Sequence, residues 1–296
     1  LQAEDDGGQQ SVANSLSVKS FGLCGNENTT NGSSITIEDG GQLYCEIANG
    51  EVTVKKEILG YQQSGSESES KWYTIASPLK DAIQITTNSS FLTPNSDLYR
   101  YDEPSYTWQN AKNSANNGFN TIDPGRGYLY ANAENTALEF KGDINTETVT
   151  YNLTAKSDVL KGFHLVGNPF THNITFAHLN ATEGASLVNG YYVLNGEGAW
   201  GATLGSNEDD VIKVGQGVLV KATAEGTLAI VKTQSRKDAE SQSRGQQTTD
   251  NGQQSLCISV SNAKYSDRAF VVFDKGVGLD KMNHENENIP LLYIPM

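Results

Sequence analysis

Apolar residues along this chain alternate with polar residues in short runs, and turn-forming residues separate the runs. An alternating run at residues 35–37 is followed by the turn Glu38-Asp39-Gly40-Gly41, and a longer one covers residues 51–58. A period of two bounded by Asp-Gly or Asn-Gly is typical of β-strands joined by tight turns. No segment has a convincing helical period, and we expect at most one or two helical turns between residues 177 and 190.

An internal repeat is the most informative feature of the sequence. Residues 122–130 align without gaps on residues 212–220, an offset of 90 (212 minus 122). Two further blocks match in the same order, so chance similarity is a poor explanation. The matched blocks are residues 72–79 with 163–170, and the Tyr-rich strands 98–101 and 191–194, which lead to Trp108 and Trp200 respectively.

Each repeat predicts five strands, and prolines and glycines mark several of their ends. Pro78 and Pro169 end the aromatic strands, because proline cannot donate to a strand ladder. Asp123-Pro124-Gly125 has proline and glycine in the positions of a type II turn. We therefore interpret the Gly-x-Gly pairs at 125/127 and 215/217 as turn chemistry rather than phosphate binding, since strands and not helices follow them.

The pattern predicts an all-β fold with two tandem homologous β-sandwich-like modules, an N-terminal β extension and a truncated C-terminal β module. The two modules are expected to share a core or pack closely, because five short strands make a small sandwich. The predicted limits are 1–70 for a leader and β extension, 71–160 for repeat 1 with a connecting strand, 161–233 for repeat 2, 234–254 for a flexible linker and 255–296 for the start of a third β module.

Composition and charge exclude several classes of function. The chain has 296 residues and a net charge of −14, so the phosphates of nucleic acids would repel it. No apolar run approaches the roughly 20 residues of a membrane helix, which argues against membrane insertion of this segment. Cys24, Cys45 and Cys257 follow no metal-ligand spacing, and both a Cys24–Cys45 disulfide and buried free thiols stay open.

Several of these blocks resemble the tandem β-rich regions of secreted and cell-surface proteins of Bacteroidetes-type bacteria. The resemblance rests on Gly167-Asn168-Pro169, the later Gly-x-Gly strand, the segment from Ile37 to Leu43, and Tyr265 to Leu279. In such proteins these regions usually precede a C-terminal export or attachment module. The resemblance implies an extracellular or cell-surface location, and it carries no catalytic residues.

The sequence contains no recognisable catalytic, cofactor-binding or metal-binding motif. Its four histidines, at 164, 172, 178 and 284, lie in no His-Glu-x-x-His pattern, and no P-loop or Gly-x-Ser-x-Gly elbow occurs. His164 is expected at a partly exposed strand position. We therefore expect a protein that is not an enzyme, with no catalytic residue, no cofactor and no metal.

Aromatic residues offer one candidate binding chemistry, the stacking of sugar rings on exposed side chains. Trp72 and Phe163 occupy equivalent positions, as do Trp108 and Trp200, and retention in both repeats favours a place in the core. The tyrosines of the Tyr-rich strands alternate with polar residues and are freer to face a ligand. The candidate ligand-binding residues are Tyr99, Tyr101, Tyr106, Tyr191 and Tyr192.

These observations favour a non-catalytic secreted or cell-surface region that acts as a scaffold, stalk or adhesive module, with glycans or host or cell-surface proteins as partners. The alternative is a carbohydrate-binding module that uses exposed Tyr and Trp rings. A third possibility is a fragment of an extracellular hydrolase, which would need two carboxylates roughly 5–10 Å apart in a cleft.

Overall fold

The structure is a computed structural model that describes residues 10–12, 15–22, 35–49, 51–61, 71–85, 90–113, 118–195, 198–205, 210–232, 255–261 and 266–272. Of these, residues 10–12, 15–22, 35, 44–49, 255–261 and 266–272 are described for their backbone alone. The predicted linker at 234–254 lies outside the described residues, as does Cys24, one partner of the predicted Cys24–Cys45 disulfide.

The all-β prediction is confirmed. In the part of the chain that the structure describes, one turn of 3-10 helix, η1 (Phe176–His178), is the single helical element. The strands are β1 (Gln10–Val12), β2 (Ser15–Gly22), β3 (Ile35–Ile37), β4 (Gln42–Asn49), β5 (Glu51–Ile58), β6 (Tyr73–Ala76), β7 (Ile83–Gln84), β8 (Ser96–Asp102), β9 (Thr107–Asn110), β10 (Thr121–Ile122), β11 (Gly127–Asn132), β12 (Thr136–Asp143), β13 (Val149–Leu153), β14 (Phe163–Gly167), β15 (Ile174–Thr175), β16 (Leu179–Thr182), β17 (Tyr191–Leu194), β18 (Trp200–Thr203), β19 (Val211–Ile212), β20 (Gly217–Lys221), β21 (Gly226–Ile230), β22 (Ser255–Ser261) and β23 (Ser266–Val272).

Two four-stranded antiparallel sheets form the middle of the molecule and have equivalent strand orders. The first is β6-β11-β8-β9 and the second is β14-β20-β17-β18. Their registers agree with the sequence repeat, because Tyr101 pairs with Trp108 in the first sheet and Leu194 pairs with Trp200 in the second. The short pairs β7–β10 and β15–β19 also occupy equivalent positions along the chain. We call these two sheets the central sheets.

An outer sheet packs against each central sheet and completes a sandwich-like pair of layers. The first outer sheet has the order β1-β3-β5-β12, and the second has the order β13-β21-β16. Buried residues of β5 and β12, such as Val54 and Phe140, form one core with Tyr128 and Tyr130 of β11. The second core joins β13 and β21 to β14, β17 and β20 in the same way.

Strand pairing crosses two of the predicted domain limits. Strand β5, from the predicted extension, pairs with β12 over eight positions, and β13, from the predicted repeat 1, pairs with β21 over five. We expected at most one or two helical turns between residues 177 and 190; the 3-10 turn η1 overlaps the start of this segment, and residues 179–182 form β16 and pair with β21. The tandem division itself stays a prediction.

A third apolar cluster lies between the two central sheets. Tyr101 contributes from the first sheet, and Phe163, Leu165, Tyr192 and Leu219 contribute from the second; all five are buried. Burying a large apolar side chain contributes roughly 1.5–3 kcal/mol. We call this group the shared cluster, and it means that both faces of each central sheet are covered.

Two glycine turns meet where the halves join. Gly125 and Gly215 have φ values of +76° and +70°, and each follows the i+1 residue of a turn closed by an N–H···O bond, as a type II turn requires. Across the junction, Ala76 N–H donates to Gly215 O at 3.1 Å, and its repeat counterpart Gly167 N–H donates to Gly125 O at 2.9 Å. The predicted turn at Asp123-Pro124-Gly125 is confirmed, and the Gly125 carbonyl oxygen accepts a hydrogen bond from the opposite half.

The next glycine of each motif permits close contact between backbones. A Cβ placed on Gly127 would lie 3.3 Å from Gly217 Cα, and one placed on Gly217 would lie 3.1 Å from Gly127 Cα. Gly167 is equally confined, because its Cβ would lie 2.3 Å from Ala76 Cβ. Reciprocal contacts between equivalent residues indicate an approximate two-fold relation between the halves.

The β extension also contacts the second half. Leu43 N–H donates to Thr171 O at 2.7 Å, and the Thr171 hydroxyl donates to Leu43 O at the same distance. Asn173 N–H donates to the Gln42 side-chain oxygen at 2.9 Å. Hydrogen bonds from the extension therefore add a second connection between the halves.

Gly167→Ala should lower the free energy of unfolding by about 1–3 kcal/mol, because the added methyl group overlaps Ala76 Cβ and the Arg126 carbonyl oxygen. Urea unfolding of the full chain measures the change. Gly201→Ala is the matched control, because the nearest atom to its added Cβ is Val193 O at 3.9 Å. Equal stability of the two variants would contradict the packing role of Gly167.

Candidate functional site

The structure divides the five predicted tyrosines into buried and accessible residues. Tyr191, Tyr192 and Tyr101 are 1%, 1% and 4% exposed, whereas Tyr106 is 48% exposed and Tyr99 is half-buried. The expectation that Tyr101, Tyr191 and Tyr192 face solvent is therefore wrong. Tyr191 packs in the second core and Tyr192 in the shared cluster, so alternation along β17 places both in apolar layers.

Tyr99 and Tyr192 occupy equivalent places in the two central sheets. Trp72 and Tyr99 form an edge-to-face pair with ring centroids 5.8 Å apart, and their counterparts Phe163 and Tyr192 lie 6.0 Å apart in a tilted arrangement. Aromatic pairs of this kind contribute roughly 0.5–1.5 kcal/mol beyond their buried area. Retention of aromatic residues at 72 and 163 thus has a packing explanation.

The exposed aromatic surface lies on the β8–β9 hairpin. Trp108 is 41% exposed, so its predicted place in the core is wrong, and its ring centroid lies 5.1 Å from that of Tyr101. The Tyr106 ring also contacts Tyr101: the two ring centroids lie 6.5 Å apart and the ring planes are inclined at 88°. We call Tyr101, Tyr106 and Trp108 the hairpin patch. Sequence reasoning placed Trp108 in the core because it relied on equivalence with Trp200, which is half-buried beside the shared cluster.

Tyr106 has an uncommon backbone conformation for a bulky residue. Its φ is +49°, in the left-handed region, which costs a residue with a Cβ roughly 1–2 kcal/mol. In the second half the corresponding hairpin turn has Gly198, with φ +84°. Tyr106 N–H donates to Glu103 O at 3.0 Å, as Gly198 N–H does to Asn195 O at 3.1 Å. The first half therefore has tyrosine at the left-handed position of this hairpin, and the second half has glycine at the left-handed position of its own.

Side-chain hydrogen bonds order the tip of this hairpin. Ser105 N–H donates to Asp102 Oδ2 at 3.3 Å, and the Ser105 hydroxyl also donates to that carboxylate. The Ser105 and Thr107 hydroxyl oxygens lie 2.7 Å apart. These hydrogen bonds involve the residues on both sides of Tyr106 and fix the turn on which its ring is exposed.

The carboxylate of Glu103 joins the hairpin to the segment that leads into β14. Glu103 is 2% exposed and accepts N–H bonds from Lys156 at 2.9 Å, Ser157 at 3.0 Å and Gly162 at 3.0 Å. Burial alone would raise the pKa of Glu103, but these backbone bonds lower it to about 2. The carboxylate is therefore ionised at neutral pH and holds the base of the hairpin patch.

The hydroxyl of Tyr101 is the unsatisfied polar group of the patch. Among the described residues it has no hydrogen-bond partner although it is buried. Burial, and then the negative charge of Glu103, raises the pKa of Tyr101 to about 12. The phenol thus stays protonated at neutral pH and is an unused donor behind the two exposed rings.

The three described histidines are buried, and the expected partial exposure of His164 is wrong. His164 is 3% exposed; its Nδ1 lies 3.3 Å from the Tyr151 hydroxyl, and its Nε2 lies 2.8 Å from Thr154 O. Burial lowers the pKa of His164 and of His178, and lowers that of His172 to about 4. These imidazole rings are neutral near pH 7 and form hydrogen bonds with backbone atoms of the protein.

Neither a metal centre nor a membrane-spanning helix occurs in the described residues. Within them, no group of three or more His, Cys, Asp and Glu side chains is placed to hold a metal ion. The same stretches hold no helix of sufficient length and apolarity to span a bilayer.

The fold and the hairpin patch define an all-β protein with paired sandwich-like layers and one exposed aromatic turn. Comparison with family models, curated proteins and solved structures finds no match. The resemblance to Bacteroidetes surface proteins therefore rests on the sequence motifs alone and stays a prediction.

Glu103→Gln should change how stability depends on pH. The pKa of about 2 in the folded state is below the usual 4.5, so ionised Glu103 stabilises the fold above pH 4.5 and this contribution, at most about 3 kcal/mol, falls away between pH 4.5 and 2. Urea unfolding across pH 2–7 measures it. The difference in stability between the original protein and the variant should shrink as the pH falls.

Glu139→Gln provides the control, because that side chain is exposed on β12. It should leave the pH profile unchanged. A Glu103→Gln variant that lost the same stability at pH 3 as at pH 7 would show that the carboxylate charge contributes nothing.

Proposed function

We infer that this chain is a non-catalytic region of a secreted or cell-surface protein and acts as a scaffold, stalk or adhesive module. The observation that carries the proposal is the rigid junction between the halves. Backbone hydrogen bonds between Gly125 and Gly167 and between Gly215 and Ala76 are made beside a buried apolar cluster. A body joined in this way keeps a fixed separation between whatever is attached to it.

The chemistry of the described titratable groups agrees with a role that needs no catalysis. General acid–base catalysis needs a group with a pKa near the working pH that can reach a substrate. His164 is buried and bonded to Thr154, and Glu103 is buried and bonded to three backbone amides. Each of these groups is occupied in holding the fold.

The resemblance to Bacteroidetes surface proteins supports an extracellular or cell-surface location. A net charge of −14 disfavours association with nucleic acids and with anionic membranes. At an extracellular or cell-surface location, the expected partners are glycans and host or cell-surface proteins.

The location is tested on intact source cells with antibodies against the described residues, combined with proteinase K digestion. We expect antibody binding to unbroken cells and loss of that signal after digestion, while a cytoplasmic marker survives. Recovery of the chain with the cytoplasmic fraction and its protection from the protease would contradict the proposal.

Differential scanning calorimetry tests the rigid junction. The full chain should show the two halves unfolding in one cooperative transition, because they share a buried cluster. Leu219→Ala, at a residue that is 3% exposed in that cluster, should lower stability by about 2–5 kcal/mol and broaden or split the transition. Two separate transitions in the unaltered protein would show that the halves are not coupled.

A further inference from the structure

Four large apolar side chains are exposed on the described surface, namely Leu59, Tyr106, Trp108 and Val159. Two of the four lie on the β8–β9 hairpin and contact the same buried ring, that of Tyr101. Clustered exposed aromatic residues mark interaction surfaces more often than single ones do.

Tyr106 combines an exposed ring with a strained backbone conformation. Three residues other than glycine have positive φ among those described, and packing or hydrogen bonding accounts for two of them. Leu160 packs on the shared cluster, and Glu183 accepts a hydrogen bond from the Thr227 hydroxyl at 2.8 Å. Tyr106 N–H donates to Glu103 O and its ring contacts that of Tyr101, yet the residue is 48% exposed, so burial offsets little of its backbone strain. Strained backbone positions of this kind cluster at functional sites.

The hairpin patch is also held rigidly before any ligand arrives. The turn is fixed by Asp102, Ser105 and Thr107, and its base is fixed by Glu103. The phenol of Tyr106 is exposed, and the Tyr101 hydroxyl behind it lacks a partner among the described residues. A preorganised site loses less conformational entropy when it binds.

We propose that the hairpin patch of Tyr101, Tyr106 and Trp108 is a binding site for neutral carbohydrate. A pyranose ring presents a face of C–H bonds that fits the negative face of an aromatic ring, while its hydroxyls bond to phenol oxygens. Asp102 and Glu103 lie beside Tyr101, and the whole chain is acidic, so sulfated and sialylated sugars are disfavoured. This site goes beyond the scaffold role, which holds whether or not sugar binds.

The second half lacks this site. Gly198 replaces Tyr106, Leu194 replaces Tyr101, and Trp200 is half-buried beside the shared cluster. The two halves thus share a fold while only the first presents exposed rings at this hairpin.

The test uses the full chain on an array of neutral glycans, namely β-glucans, mannans, xylans and N-acetyllactosamine oligosaccharides, with sialylated and sulfated glycans beside them. Isothermal titration with the best neutral glycan then compares three variants. Tyr106→Gly and Trp108→Gln should each weaken binding by about tenfold or more. Leu59→Ser, at an exposed apolar residue outside the patch, should bind as the original protein does.

The Tyr106→Gly variant distinguishes a loss of glycan binding from a loss of folded protein. Glycine adopts the left-handed conformation easily, so the melting temperature should stay the same or rise. Binding should persist in high salt, because no charge is involved.

Several results would overturn the proposal. They are absence of binding to every neutral glycan, binding to charged glycans only, and unchanged affinity in both Tyr106→Gly and Trp108→Gln. A further contrary result is self-association in sedimentation that Tyr106→Gly abolishes, since it would assign the patch to contact between copies through the edge strand β9.

Discussion

Close contact between Gly127 and Gly217 determines how the rest of the molecule is arranged. A Cβ on either residue would crowd the α-carbon of the other, and one on Gly127 would also overlap Leu165 and the Val166 carbonyl oxygen, so glycine here lets the two central sheets come near enough to bury the shared cluster. The turns just before them supply carbonyl oxygens to the opposite half. Each sheet then has an apolar layer on both faces, which explains why so many tyrosines are buried.

The hairpin patch depends on this arrangement although it lies at the edge of the first central sheet. Tyr101 is part of the shared cluster on one side and supports Tyr106 and Trp108 on the other. Glu103 then fixes the hairpin to the segment before β14, where the second half begins. The position of the exposed rings is therefore set by contacts from both halves of the chain.

Much of the fold could be predicted from the sequence, because strands and turns leave local signals. The repeat identified the equivalent strands, and Asp123-Pro124-Gly125 identified its turn. Exposure could not be predicted as well: alternation along β17 says that Tyr191 and Tyr192 face opposite ways, but not that a second sheet covers the outer face. The exposure and the positive φ of Tyr106 distinguish it from the other four candidate tyrosines, and neither is visible in a single sequence.

The contrast between Tyr106 and Gly198 has a consequence for valency. A protein with two equivalent halves would ordinarily present two equal sites and bridge two partners, but only one half here displays exposed aromatic rings on this turn. On the proposed role of the hairpin patch, the described part of each chain therefore has one glycan-binding site, at one edge of the first central sheet. Strong attachment to a surface would have to come from many chains displayed side by side, since avidity grows with the number of sites that engage together.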